Sequence, residues 1–508
     1  MSQEFTRRDM IKAAAVAPLI GALSGVSEVT RAAGASDELA RLDGIGQAAL
    51  VRSGRVSPRE LVEAAIRRIE AVNPQLNAVI EKRFEQALVQ ASSKTLPAGP
   101  LRGVPILIKD VAIAGERNYL GSELLAKVDM RSAETDEFVL RAERAGMIIV
   151  GRTNVPELLS APTTESKLHG IAHNPWDLTR STGGSSGGSG AAVAALMVPL
   201  AQASDGGGST RIPASANGLV GLKPSRGRVS TSPSTTAWVD ITPAKSWVTR
   251  SVRDTALGLD MVAGPGFADS IVAPQPERSY INEVGVDPGK LRIGFMRQLP
   301  GNVMPLDPEA VLAVERTAKL LADLGHHVEE KHPATLDTTE HFDLISRYWP
   351  IKVVQRLSDA QEKLGRLIRE GEVEPGVFQM LQFAREKTVF DFGVTLKQIY
   401  GYSKRMLAWY GQGFDLLMTP TTGCAAPLLG TLTKPGVTRD AMLWGGFAPL
   451  FNLTGQPAIS LPLHWTATGL PIGVQLAADL WREDMLIRVA AQLEAAQPWH
   501  DRVPAVHA

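Results

Sequence analysis

Two glycine-rich stretches lie close together in this sequence and dominate its interpretation. The first, GGSSGGSG, occupies residues 183–190, and the second, DGGGSTRIP, occupies residues 205–213. Glycine lets the backbone adopt angles that other residues avoid and lets it approach a bound molecule closely. The first stretch has three interpretations: a flexible linker, a phosphate-binding loop, or a substrate-contacting loop of a hydrolase.

The neighbouring residues favour the hydrolase interpretation. Residues 191–198 form an apolar, helix-like run, which does not fit a flexible linker. A phosphate-binding loop needs a strand before it and a Lys-Ser or Lys-Thr pair after the glycines. Residues 177–182 are polar with no clear strand pattern, and no such pair follows. A loop that holds serines against a substrate is the interpretation that remains.

Two serines of the first stretch match the Gly-x-Ser-x-Gly pattern of a nucleophile elbow. Ser185 and Ser186 both have glycines at the required spacing. An enzyme of the Ser-His-Asp type also needs an acid and a histidine later in the chain. Later histidines exist, but none has a context that marks it as catalytic: His326, His327, His332, His341 and His464. A Ser-His-Asp hydrolase is therefore the weaker alternative.

The second stretch places Ser209 on a predicted tight turn. Residues 197–203 are apolar and predict a strand that leads into the turn. Successive glycine N–H groups in such a turn can converge on the negative oxygen that develops when a serine attacks a carbonyl. We therefore predict Ser209 as the nucleophile, with Gly206 and Gly207 as oxyanion donors.

A serine nucleophile needs a base, and Lys109 is the candidate. It follows the apolar, strand-like residues 104–108. Lysine is seldom buried without cause, and desolvation lowers the pKa of its amine, so that a fraction is neutral and can accept a proton. The alternative is a strand-end lysine that reaches solvent and pairs with Asp110.

Together these segments resemble the amidase signature family. The resemblance rests on GVP at residues 103–105 followed by Lys109 and Asp110, on both glycine-rich stretches, and on their order and spacing. Four further motifs are similar to that family: NPWD (174–177), GLVGLKP (218–224), FNLTGQP (451–457) and GLPIGVQ (469–475). The likeness begins near residue 40 and is weakest over residues 335–415.

The resemblance implies a role for each candidate. Ser209 corresponds to the family's acylated serine, Ser185 to its bridging serine, which follows a cis peptide bond, and Lys109 to its general base. The oxyanion would rest on the backbone N–H groups of Gly206, Gly207, Gly208 and Ser209. Three further residues would contact the catalytic residues and hold them in place without reacting themselves: Ser186, Asp205 and Arg211.

Strand-like and helical patterns alternate along the chain, which predicts an α/β fold. The strand-like runs lie at residues 104–108, 147–150, 291–295, 416–419, 458–463 and 472–476. Helical patterns occupy residues 308–324 and 484–496, and a capping box at Ser57 and Glu60 opens a further helix. The resemblance implies one amidase signature domain over residues 36–508, with a central twisted mixed sheet covered by helices on both faces.

Residues 335–415 are predicted to be mostly helical and carry scattered aromatic side chains. Such a stripe is more often part of a core than of a ligand site. We nevertheless expect this segment to form a variable helical insert that covers an apolar substrate pocket. The best candidate for a domain boundary is at residues 264–289, which are rich in proline and glycine.

The N-terminal residues 1–35 have the pattern of a twin-arginine export signal. Arg7 and Arg8 precede an apolar run at residues 13–26, which is shorter than a membrane span, and small residues follow at 32–35. The alternative is an amphipathic leader or a membrane anchor. We expect a periplasmic or secreted enzyme, with no membrane contact once the signal is removed.

Composition and charge narrow the function classes. The chain has 53 basic and 53 acidic residues, a balance that does not favour nucleic acid as a partner. With one cysteine, Cys424, no intrachain disulfide can form, and we interpret it as a packed thiol. Acyl transfer by a serine nucleophile and a lysine base needs no cofactor. His169 and His173 lack the motif of a metal site. The oligomeric state stays open, a homodimer included.

The resemblance implies hydrolysis of a carbon–nitrogen amide bond through an acyl-serine intermediate. The C-terminal motifs are similar to those of hydrolases of nylon-type cyclic amide oligomers and of general acylamidases, so we expect a small or linear, apolar amide or a nylon-type oligomer as the substrate. The alternatives are ester or carbamate cleavage by the same three residues, a transamidase subunit that uses glutamine, and a catalytically dead binding protein. The intact triad positions argue against the last of these, and the export signal argues against the transamidase.

Overall fold

The computed structural model describes residues 38–233, 240–433 and 439–508. The predicted export signal therefore lies outside the described residues. Within those three ranges, no helix combines the length and the apolar character that crossing a bilayer requires.

The strands that build the protein belong to one large sheet and two short ribbons. In chain order they are β1 (Val79–Lys82), β2 (Pro105–Ile108), β3 (Ile148–Thr153), β4 (Glu165–Ser166), β5 (Gly170–Ile171), β6 (His173–Asn174), β7 (Asp177–Ser181), β8 (Leu200–Asp205), β9 (Val220–Lys223), β10 (Ala244–Thr249), β11 (Arg292–Phe295), β12 (His327–Glu330), β13 (Leu416–Pro420), β14 (Ala458–Trp465) and β15 (Pro471–Ala478). The ribbons pair β4 with β5 and β6 with β7. All six strands predicted from apolar runs are present, with ends that differ by a few residues.

The large sheet is mixed and has eleven strands in the order β1-β3-β2-β8-β10-β9-β14-β15-β13-β11-β12. Strands β3, β2 and β8 run parallel near one end, and β13, β11 and β12 run parallel at the other. The pairs between them are antiparallel, and β9 pairs directly with β14, with Lys223 opposite Ala458. Residues 264–289 therefore connect two halves of one continuous sheet.

Helices surround the sheet. They are α1 (Gly44–Arg52), α2 (Pro58–Leu76), α3 (Phe84–Ala91), α4 (Glu123–Lys127), α5 (Glu137–Arg144), α6 (Gly187–Ala194), α7 (Arg211–Asn217), α8 (Val252–Val262), α9 (Pro308–Asp323), α10 (Glu340–Leu364), α11 (Pro375–Arg385), α12 (Val389–Leu407), α13 (Arg439–Gly445), α14 (Leu450–Thr454) and α15 (Glu483–Ala496). Helix α2 begins at the predicted capping box, because Ser57 Oγ accepts from the Glu60 N–H at 3.2 Å and the Glu60 carboxylate accepts from the Ser57 N–H at 2.7 Å.

Apolar layers cover both faces of the sheet, which confirms the predicted α/β architecture. Along β2, Ile106 and Ile108 belong to the layer that includes α8, α9 and α15, whereas Leu107 belongs to the layer that includes α2 and α6. Successive side chains of a strand point to opposite faces, so a strand buried on both sides reads as a continuous apolar run.

Residues 335–415 are mostly helical, as predicted, and consist chiefly of α10, α11 and α12. Their aromatic side chains divide into two groups. Tyr348 and Tyr402 are fully buried in a core that these helices share with β13 and α14. Phe390 and Tyr400 face solvent. Trp349 packs against the glycine-rich turn described below.

The elements next to the two glycine-rich stretches differ from the prediction. Helix α6 begins at Gly187 rather than at residue 191, and its first turn is closely packed, since a Cβ on Gly188 would lie only 2.4 Å from the backbone nitrogen of Asn154. The glycines therefore allow close packing inside the helix. Strand β7 precedes the first stretch, where the sequence predicts no strand. It escapes prediction because it lies in a polar ribbon and has no apolar face. Strand β8 begins three residues later than predicted.

Candidate active site

Lys109 follows directly after β2, and its side chain is fully buried. Its Nζ lies 2.8 Å from Oγ of Ser185 and 2.9 Å from Oγ of Ser204. Asp110 forms its ion pair with Arg152 instead, with an oxygen 3.6 Å from that guanidinium. The alternative of a solvent-reaching lysine paired with Asp110 is therefore wrong, and the structure joins Lys109 to Ser185.

The surroundings of Lys109 favour an uncharged amine. Burial lowers the pKa of Lys109 well below its usual range, and the positive charges of Arg356 and Lys352 lower it further. The carboxylates of Asp205 and Asp110 act in the opposite direction without outweighing burial. A neutral amine at this distance can accept a proton from the Ser185 hydroxyl.

Ser185 lies on the loop between β7 and α6, and the peptide bond between Gly184 and Ser185 is cis, as the resemblance implied. The loop is packed too tightly for a side chain at Gly184, where a Cβ would lie 2.4 Å from the carbonyl oxygen of Thr163. Thr164 Oγ1 donates to the Gly183 carbonyl at 2.9 Å. These contacts fix the serine beside Lys109.

Ser209 lies on the turn between β8 and α7 and is 8% exposed. The carboxylate of Asp205 organises this turn, because it accepts from the N–H groups of Gly208 at 2.7 Å and Thr210 at 3.2 Å. Since the Gly208 N–H is already bonded, it is not available to an oxyanion, which corrects the prediction for Gly208. In the described part of the chain, no group accepts from the N–H of Gly206, Gly207 or Ser209.

A buried ion pair between Arg211 and Asp205 stabilises the turn. Arg211 donates to both oxygens of Asp205 at 2.9 Å, to Gln475 at 2.7 Å and to Asn452 at 2.7 Å. Burial alone raises the pKa of Asp205, but the charge and hydrogen bonds of Arg211 outweigh it and hold that pKa well below its usual range. Asp205 is thus a fixed anion, and both residues occupy the supporting position that the resemblance implied.

Comparison with known proteins identifies the family of this chain. The family model described as Amidase matches residues 60–487. This chain belongs to the amidase family. The amidase is an enzyme that hydrolyses amide bonds, and the family predicted from its glycine-rich stretches is confirmed.

The relatives extend over nearly the whole chain. The amidase is 39% identical to the 6-aminohexanoate-cyclic-dimer hydrolase of Paenarthrobacter ureafaciens over 476 residues, which cover 91% of this chain and 96% of that protein. A solved structure of 6-aminohexanoate cyclic dimer hydrolase complexed with substrate has a TM-score of 0.88 at 37% identity, covering 92% of this chain and 99% of the other. A bacterial aryl acylamidase of the amidase signature family has a TM-score of 0.83 at 26% identity, covering 92% and 99%.

Sequence reasoning missed three polar residues of the amidase site. Ser204 bonds to Lys109 and exchanges longer contacts of 3.3 and 3.4 Å with Ser186. Asn452 and Gln475 bond to Arg211 from distant elements. A signal existed for the last two, because both lie in motifs that resemble the family, but nothing local indicated their partner.

The variable segment of the amidase also contributes to the site. A Cβ on Gly207 would lie 2.9 Å from Cζ3 of Trp349, and a Cβ on Gly206 would lie 2.7 Å from Nζ of Lys352. Both side chains belong to α10. This helix therefore lies against the glycine turn.

A Ser-His-Asp site is not assembled in the described part of the amidase. Among the described residues, no histidine bonds to Ser185 or Ser209, and the histidines considered for a Ser-His-Asp site lie elsewhere; His464, for example, contacts Glu309 at 2.6 Å. Over the same ranges, no group of His, Cys, Asp and Glu side chains is arranged to hold a metal ion. Burial raises the pKa of the Cys424 thiol to about 12, which makes it a poor nucleophile.

Proposed function

We propose that this amidase hydrolyses its substrate through an acyl-enzyme on Ser209, with Ser185 as the proton relay and Lys109 as the base. The observation that carries the proposal is the 2.8 Å contact between the buried Lys109 amine and the Ser185 hydroxyl. A serine hydroxyl is a weak nucleophile until a base accepts its proton. A desolvated, neutral lysine provides that base without a histidine.

Acylation proceeds with a balanced transfer of protons. The Ser185 proton moves to Nζ of Lys109 as the Ser209 proton moves to Oγ of Ser185, and Oγ of Ser209 bonds to the amide carbon. The negative oxygen rests on the N–H groups of Gly206, Gly207 and Ser209. When the carbon–nitrogen bond breaks, the leaving nitrogen takes a proton from Ser185, which regains one from Lys109. The leaving group departs as a neutral amine.

Deacylation repeats the relay with water. Water bonds to the acyl carbon and gives its proton through Ser185 to Lys109. The bond between that carbon and Oγ of Ser209 then breaks, and Ser209 regains a proton by the same route. The net reaction converts an amide and water into a carboxylic acid and an amine, and Lys109 returns to its neutral state.

We propose a small or linear, apolar amide or a nylon-type oligomer as the substrate. Two observations support this choice: the likeness to proteins named 6-aminohexanoate-cyclic-dimer hydrolase, and the indole of Trp349 beside the proposed oxyanion donors. Hydrolysis rates should be compared across acyl amides, cyclic and linear 6-aminohexanoate oligomers, amino-acid amides, esters and carbamates. Faster turnover of esters or carbamates than of every amide would contradict the substrate class.

Labelling with a fluorophosphonate tests the reactive serine. We expect the probe to label the native enzyme and to lose that labelling in Ser209→Ala, while Ser403→Ala, which changes a serine on α12, labels normally. Persistent labelling of Ser209→Ala would refute the assignment. Absence of labelling and of amide hydrolysis in the folded native chain would instead favour a binding protein.

We also propose export through the twin-arginine route, from the pattern at residues 6–35. Fractionation of cells that make the full chain should place the enzyme outside the cytoplasm, and changing Arg7 and Arg8 together to lysine should retain it inside. Export that is indifferent to this change would contradict the proposal. A native enzyme found wholly in the cytoplasm would favour the transamidase alternative.

A further inference from the structure

One face of α10 lies against the turn that carries Ser209. Trp349, Lys352 and Arg356 stand at positions i, i+3 and i+7 and therefore share this face. Lys352 is close enough to the turn that a Cβ on Gly206 would lie 2.7 Å from its Nζ. Because Gly206 is a proposed oxyanion donor, the lysine places a cation beside the point where negative charge develops.

Lys352 is held rigidly in this position. Its Nζ donates to Thr242 Oγ1 at 2.6 Å and lies 3.2 Å from an oxygen of Asp240. The same amine lies 4.6 Å from the centre of the Trp349 ring, and the side chain is only 2% exposed. A lysine on a surface would move freely, whereas this one keeps a fixed distance from the turn.

The charged groups around Lys352 and Lys109 come from several elements. Lys352 faces Asp240, Arg356 and the Asp205 carboxylate at the end of β8. Lys109 faces the two cations of α10, namely Arg356 and Lys352, and the carboxylates of Asp205 and Asp110. Lys352 is therefore a cation that lies against the glycine turn and also opposes a proton on Lys109.

We infer that Lys352 is a positioning residue for this acyl transfer: its positive charge, fixed against Gly206, stabilises the negative charge that develops on the substrate's carbonyl oxygen at the turn. The inference rests on the proposed function of Ser209 and Lys109. Lys352 acts through the Gly206 backbone and through the field at Lys109, without contacting the reacting atoms. The segment that resembles the family least thus contributes to the chemistry as well as to the shape of the pocket.

This role makes activity depend on two lysines in opposite protonation states. Lys109 must be uncharged to act as a base, so activity falls at low pH. Lys352 must be charged, and burial lowers its pKa to about 8, so activity falls again above that pH. The result is a bell-shaped pH profile whose alkaline limb belongs to Lys352.

Replacement of Lys352 tests the inference with a neutral acyl anilide as the substrate, so that no carboxylate on the substrate can bind the lysine. In Lys352→Met we expect kcat to fall about ten- to hundredfold with little change in KM, and the acid limb to move up by roughly one pH unit. Lys352→Arg should retain most of the activity and lose the alkaline limb near pH 8, because arginine stays charged. Lys363→Met, on the same helix but exposed, should match the native enzyme.

Two further measurements keep the result decisive. Lys352→Met leaves Asp240 without its buried partner, so if its thermal unfolding is not cooperative, the double variant Lys352→Met/Asp240→Asn replaces it, with the same expectation. Native kcat and an unchanged pH profile in a folded variant would overturn the inference. An equal loss of kcat in Lys352→Arg and Lys352→Met would also overturn the inference. If Ser209 still reacts with a fluorophosphonate in that case, the proposed function survives.

Discussion

The amine of Lys109 lies 2.8 Å from the hydroxyl of Ser185, although 76 positions separate the two residues in the chain. The end of a buried strand supplies the lysine, and a loop too tightly packed for a side chain at Gly184 supplies the serine. Nothing charged lies between them, and burial opposes protonation of the amine. The predictions below follow from this contact and from the turn beside it.

Removing the Lys109 amine should abolish most of the activity without unfolding the protein. In Lys109→Met we expect kcat to fall by about 10²–10⁴-fold, the usual contribution of a general base. Steady-state kinetics and a thermal unfolding curve measure the two effects. Lys94→Met, at an exposed position, serves as the matched control. Activity of Lys109→Met near that of the control would remove Lys109 from the mechanism.

The pH dependence of kcat/KM should report the protonation of Lys109. The pKa of this buried lysine is depressed, so the base becomes available as pH rises through that lowered value. For a neutral amide we therefore expect the rising limb of kcat/KM to be complete well below about pH 10.4, the ordinary pKa of lysine, and kcat/KM to fall again above about pH 8, where Lys352 loses its charge. A profile that still rises through that ordinary value would show that Lys109 is charged in the free enzyme.

Asp205→Asn should destabilise the protein, because it leaves the buried Arg211 charge without its partner. We expect a loss of about 3–5 kcal/mol in the free energy of unfolding at pH 7. The folded-state pKa of Asp205 is depressed, so its contribution is present above the unfolded pKa near 3.9 and decreases as pH falls below it. The difference between native and variant urea midpoints should therefore shrink in acid. Asp501→Asn, at an exposed position, should show neither effect.

A methyl group on Gly207 should collide with Trp349. The Cβ would lie 2.9 Å from Cζ3 of the indole, inside ordinary contact distance. We expect Gly207→Ala to lower kcat/KM by about tenfold or more through displacement of the turn, and Trp349→Ala in the same chain to recover part of the loss. A double-mutant cycle measures the coupling. Additive effects would mean that the indole and the glycine turn do not touch in solution.

The sequence predicted the elements that carry the chemistry because their signals are local. An apolar strand ending at Lys109 and two glycine-rich stretches were enough to predict Ser209 as the nucleophile and to indicate the family, and the resemblance to that family then singled out Ser185. The apolar runs also located the central strands, since strands buried on both faces read as continuous hydrophobic segments. These features depend on neighbouring residues alone.

Features that depend on distant contacts could not be predicted. Helix α6 begins inside a glycine run, which local helix propensity disfavours, and it packs there against Asn154, a contact that the glycine run itself did not indicate. The use of the Gly208 N–H by Asp205 is a matter of turn geometry. Lys352 lies 146 residues after Gly206 in the segment least like the family, so nothing in its own neighbourhood indicated a place in the site.

Mapping the acyl group on the enzyme during turnover tests the central claim most directly. The enzyme is quenched in acid while it hydrolyses an acyl anilide, and two tryptic peptides are fragmented in the mass spectrometer: residues 181–211, which include Ser185 and Ser209 and have no internal Lys or Arg, and the peptide that contains Cys424. We predict the added acyl mass on Ser209 in the native enzyme and little or none in Lys109→Met. Acyl mass on Ser185 or Cys424, or full acylation without the lysine, would contradict it.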